Sequence, residues 1–155
     1  MGRSYHNHSS SADETMLHNA GISHIDEGFL EDLGYRLRKL VHPSKDYKFQ
    51  TQLLARALGY PEQKGRIHNT RDAETFAKEV THAQECMYYI VSGTCYFDVR
   101  FGGGTEDWIR IVLHTGDTMI VPAGSYHKQF PLGDDFESMQ YTKCNPSSFQ
   151  SVFRE

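Results

Sequence analysis

The sequence predicts a strand-dominated fold, an antiparallel barrel or jelly roll with short helices ahead of it. Three observations carry that expectation. Between Cys86 and Thr142 the chain is a series of short segments rich in aromatic and β-branched residues. Glycine and proline turn signals separate those segments at short intervals. Helical spacing of apolar residues is confined to the first sixty positions.

In chain order, residues 1–21 are polar and poor in apolar side chains, which predicts a mobile arm, with a single domain over 22–155. Phe29, Leu30 and Leu33 have helical spacing and Gly34 is a stop. Tyr35 to Leu40 alternates as a short strand, and His42-Pro43-Ser44 breaks it. Lys48 to Leu58 predicts a second helix with Leu53, Leu54, Ala57 and Leu58 inward, ended by Gly59-Tyr60-Pro61. Extended segments follow at Thr75–Val80, Cys86–Val91, Thr94–Arg100, Trp108–Leu113, Thr118–Val121, Tyr126–Phe130 and Ser138–Thr142. Gly102-Gly103-Gly104 is expected to be a turn. It lacks the Lys-Ser/Thr pair of a phosphate loop and sits between strands.

Composition removes several function classes. At 155 residues the chain can bury a core without staples. A net charge of −4 argues against a nucleic-acid partner. No apolar run reaches the roughly 18 residues of a membrane span. The three cysteines, Cys86, Cys95 and Cys144, form neither an even disulfide framework nor a C-x-x-C pair, so reduced thiols are expected. His6 and His8 have no ordered donor near them in sequence and are set aside as a metal motif. Cys86 with His127 gives no nucleophile site, because nothing supplies an orienting group or oxyanion hole. Asp98, Arg100 and Arg110 are read as cross-strand charge pairs.

Four pieces stand in a specific order: Tyr96-Phe97-Asp98-Val99-Arg100, then Asp107-Trp108-Ile109-Arg110-Ile111, then Gly116-Asp117, then Pro122-Ala123-Gly124-Ser125-Tyr126-His127. This combination resembles the acireductone dioxygenase family of the cupin superfamily, densely from Phe76 to His127 and more thinly over 29–146. The resemblance implies a cupin (double-stranded β-helix, jelly-roll) barrel with N-terminal helices. It implies an Fe²⁺- or Ni²⁺-dependent oxidation of an acireductone by O₂ in methionine salvage. With iron the products are formate and 4-methylthio-2-oxobutanoate, and with nickel carbon monoxide is released. It also implies a cytoplasmic location, with the nucleus as a second one.

The family's metal rests on three histidines and a glutamate, the first three in a His-x-His-x-x-x-Glu pattern. Counting back from Tyr96 through Gly93 and Tyr89-Ile90, the resemblance sets the first histidine on Val80, the second on His82 and the glutamate on Cys86. The third histidine falls on His127. Two family arginines fall on Tyr88 and Gln140. Val80, His82, Cys86 and Tyr88 share one strand parity, whereas Glu79 and Glu85 share the other and are not expected to reach the site. Valine has no lone pair, and cysteine is a soft donor. The expectation is therefore an inactive homologue with no metal or only weak binding, and a small-molecule ligand in the barrel. Two alternatives stand beside it: an active metalloenzyme with a His82–Cys86–His127 site, Cys86 being a candidate substitute ligand, and a scaffold for a protein partner not identified.

Overall fold

A computed structural model describes residues 5–9, 27–39, 46–100 and 107–154. The spine is a pair of long antiparallel strands, β5 (Cys86–Arg100) and β8 (His127–Thr142). They run together from Cys86 opposite Thr142 to Val99 opposite His127, with register shifts between Ile90 and Thr94. The first half of β5 takes β7 (Asp117–Val121) on its other edge, and the second half takes β6 (Asp107–His114). Beyond these lie β2 (Arg36–Lys39) against β7 and β1 (Tyr5–Ser9) against β6. On the far side of β8, β3 (Arg66–Asn69) and β4 (Val80–His82) pair with its two ends, and β9 (Ser151–Phe153) pairs with β4. Two halves of one curled sheet thus share β5 and β8, which is how the expected jelly roll is built.

The register shift in β5 has a readable cause. Gly93 adopts φ +82°, and a Cβ there would lie 3.1 Å from the Phe136 Cα. Only glycine adopts that conformation cheaply and lets β8 approach. The shift reverses side-chain parity. Cys86, Tyr88 and Ile90 face the barrel core before it, and Cys95, Phe97 and Val99 face it afterwards. Ile109, Ile111, Leu113, Met119, Val121 and Leu37 complete that core.

A second apolar layer lies on the outer face, where α2 (Tyr47–Ala57) covers Met87, Met139 and Tyr141 and stacks Tyr47 on Tyr89. The helix buries Thr51 and Ala55, with Leu54 and Leu58 beside them. Leu53 and Ala57, expected to face inward, are exposed. The reason is the four-residue step from Thr51 to Ala55. The Thr51 hydroxyl donates to the Tyr47 carbonyl at 2.7 Å, and a buried threonine can then serve in the packed stripe.

Other differences have local causes. The described part of the expected arm, Tyr5–Ser9, is a strand along the open edge of β6; the rest of 1–21 lies outside the described residues. So do His42-Pro43-Ser44 and the Gly102–Gly104 turn. Thr75–Val80 is not extended throughout: α3 (Ala73–Phe76) takes its start, after a 3₁₀ turn capped by Asn69. Short α1 (Glu27–Asp32) precedes β2 as expected. Asp98 and Arg110 pair across β5 and β6 at 2.6 and 2.7 Å, both 1% exposed. Among the described residues no helix is long and apolar enough to cross a membrane.

Candidate functional site

One mouth of the barrel opens into a cavity of about 310 Å³. Strands β3, β4, β5, β8 and β9 supply its wall, with α3 at the rim. Arg66 and His68 of β3 share a face by strand alternation, and Arg66 stands in one row with Gln140 and Tyr88 across three paired strands. Val80 of β4 sits directly opposite His127 of β8.

A directional hydrogen-bond chain crosses this wall. Gln140 Nε2 donates to the Tyr88 hydroxyl oxygen at 3.0 Å, and Gln140 Oε1 lies 2.8 Å from His68 Nε2. A carboxamide oxygen only accepts, so His68 carries its proton on Nε2. Tyr88, already accepting from Gln140, turns its own proton to His82 Nε2 at 3.2 Å. His82 is then protonated on Nδ1, which lies 3.2 Å from the Ser151 hydroxyl. Burial lowers the His82 pKa to about 4, so the ring is neutral at pH 7.

His127 is fully buried, stacked on Phe97 with ring centroids 5.1 Å apart. Its Nδ1 donates to the Ser125 carbonyl at 3.1 Å, which leaves a bare lone pair on Nε2 with no partner. Burial and the neighbouring His82 lower its pKa to about 3. The His82 and His127 rings lie 5.0 Å apart. Cys86 is fully buried, and burial raises its thiol to about 12, so it stays protonated. Its Sγ contacts the Gln84 carbonyl at 3.6 Å and the Gln140 amide at 3.7 Å.

The six residues singled out in the sequence therefore lie in one region, but they do not make a metal site. Val80 offers no donor, the His82 Nε2 lone pair is spent on Tyr88, and Cys86 is a neutral thiol. Only the His127 Nε2 is presented bare. Among the described residues no three His, Cys, Asp or Glu side chains are grouped to hold a metal ion, so His82, Cys86 and His127 are not gathered as a ligand set. The iron or nickel of the family does not fit the donors present. Glu79 and Glu85 turn away, as their parity predicts. Glu79 pairs with Arg100 at 2.8 Å, and Glu85 with Arg36 at 3.2 Å and the Tyr60 hydroxyl at 2.7 Å.

Arg66, His68, Gln129 and Ser151 belong to the site and were not singled out from sequence. Arg66-Ile67-His68-Asn69 does alternate, but four mostly polar residues after a Pro-Glu-Gln-Lys-Gly stretch read as loop.

Fold and cavity together define a cupin-type barrel with a polar cavity at one end. The sequence profile of the ARD/ARD′ family matches residues 45–137. An acireductone dioxygenase of Phaeosphaeria nodorum is 32% identical over 124 residues, covering 75% of this chain and 66% of that protein. One of Saccharomyces cerevisiae is 43% identical over 54 residues, covering 35% of this chain and 30% of that protein. Among solved structures, acireductone dioxygenase from Bacillus anthracis, with a cadmium ion in its active center, superposes with a TM-score of 0.64 at 15% identity. That match covers 94% of this chain and 96% of that one. The chain belongs to the ARD/ARD′ family of acireductone dioxygenases. The matched stretches span less than two thirds of these curated relatives.

Proposed function

We propose that this chain is an acireductone dioxygenase homologue that does not run the dioxygenase reaction and instead holds a small organic molecule in its barrel. The observation that carries this reading is the Tyr88 hydroxyl bonded to His82 Nε2, beside Val80 and a neutral Cys86. By the family resemblance, Val80 and Cys86 stand where an imidazole and a carboxylate would bind the metal, and Tyr88 and Gln140 where two guanidinium groups would face an enediolate. Electrostatic stabilisation of developing charge is usually the largest catalytic contribution. Ligands and counter-charges are lost together here. The same reading puts the protein in the cytoplasm, and also in the nucleus.

Acireductone consumption by the natively purified, untagged protein with added Fe²⁺ tests the proposal. The expected rate is below that of the Saccharomyces cerevisiae relative by about 10³-fold or more. A rate within tenfold of it, on the order of 1 kcal/mol in barrier, overturns the proposal.

The bare His127 Nε2 favours one competing reading, a His82–Cys86–His127 metalloenzyme. It requires the Cys86 thiol to ionise and His82 to release Tyr88. Metal content of the wild type against Cys86→Ala separates the two. Stoichiometric metal that the substitution abolishes supports the enzyme, and metal-free folded protein supports the binding barrel.

A further inference from the structure

Resting on that reading of a binding barrel, we propose that Arg66 makes the mouth a metal-independent site for a small carboxylate with an apolar tail. Arg66 comes from β3, a strand that supplies none of the positions assigned by the family resemblance. Arg66 lines the cavity, is exposed, and forms no ion pair with any described residue. The backbone register sets it directly beside Gln140, and Gln140 beside Tyr88. A cation without an ion-pair partner among the described residues, with neutral amide and phenol groups beside it, is the pattern of an anion anchor.

The rest of the lining agrees with that polarity. His68 has its pKa lowered by burial, so it brings no charge at pH 7, and Arg66 itself pushes it further down. Tyr88 is kept unionised by burial. Asp72 is the one carboxylate on this wall among the described residues. Its Oδ2 accepts from the Asn69 backbone N–H at 3.0 Å and lies 3.7 Å from His68 Nδ1, so it is engaged in the capping turn. Val80, Phe76 and Phe149 give the cavity an apolar side. A carboxylate at Arg66 would direct an aliphatic tail towards those side chains. A cavity of about 310 Å³ accommodates such a molecule of moderate size.

Calorimetric titration of the whole chain with hexanoate, and with hexanamide as the neutral isostere, tests the site in the presence of a metal chelator. The expected result is saturable hexanoate binding of about millimolar affinity, with hexanamide weaker by about tenfold or more. Arg66→Gln should lose about tenfold or more and Arg66→Lys should recover part of that, with an unchanged thermal midpoint. Arg71→Gln, on the neighbouring exposed turn, should bind as the wild type does. Equal binding of the amide, equal loss in Arg71→Gln, or no hexanoate binding by the wild type overturns the site while leaving the absence of dioxygenase activity standing. Hexanoate binding that needs added Fe²⁺ and vanishes with chelator overturns both.

Discussion

At residue scale, Tyr88 occupies the lone pair of His82 Nε2 and so joins β5 to β4 across β8. Its hydroxyl also accepts from Gln140, so one oxygen satisfies two buried side chains. Tyr88→Phe leaves both without that partner and should lower stability by about 1–3 kcal/mol in urea denaturation. A change under about 0.5 kcal/mol, the scale of an ordinary surface substitution, would mean the chain does not form. The buried imidazoles make a second prediction. Folded values of about 4 for His82 and about 3 for His127 lie below the ordinary 6.5. The unfolded chain therefore takes up more protons in acid. Stability is fully present above pH 6.5 and is lost as pH falls towards those values, by up to about 1.4 kcal/mol per pH unit for each ring. Urea midpoints measured from pH 7 to pH 5 should fall, and a flat profile would contradict the neutral, buried state of both rings.

The elements show what holds those residues in place. Gly93 reverses the parity of β5, and without the reversal Phe97 would leave the face it shares with Tyr88 and His127. Gly93→Ala meets both an unfavourable φ and the β8 backbone. It should cost more than about 1 kcal/mol, read as a lowered thermal midpoint. On the outer face of the same ladder, Asp98 and Arg110 form a fully buried pair, with Arg110 over the Tyr96 and Phe130 rings at 4.6 and 5.2 Å. Asp98→Ala leaves a buried guanidinium without its carboxylate and should destabilise the fold by about 3–5 kcal/mol. A loss below about 1 kcal/mol would place that pair among surface ion pairs. Strands with aromatic and β-branched runs, such as Thr94–Arg100 and Trp108–Leu113, were legible because their pattern is period two. β3, β4 and β9 were not, since three or four residues are too few to carry a measurable period. The two long strands read as separate pieces because the register shift and Pro131-Leu132-Gly133 interrupt the pattern without ending the pairing.

Across the whole molecule, the barrel is held together by its apolar core. Its core is built from Ile109, Ile111, Leu113, Met119 and Val121, none of which depends on a metal. The fold was therefore legible through the motifs that shape the strands. The hydrogen-bond network was not legible, because it joins His68, Gln140, Tyr88, His82 and Ser151 across distances in sequence that only the sheet register closes. Titration of the metal-stripped chain with Fe²⁺ under argon tests the claim that this network has taken over the metal's place. No saturable uptake near one equivalent is expected, because His127 alone presents a bare lone pair. Stoichiometric uptake, with His82 released from Tyr88, would contradict it.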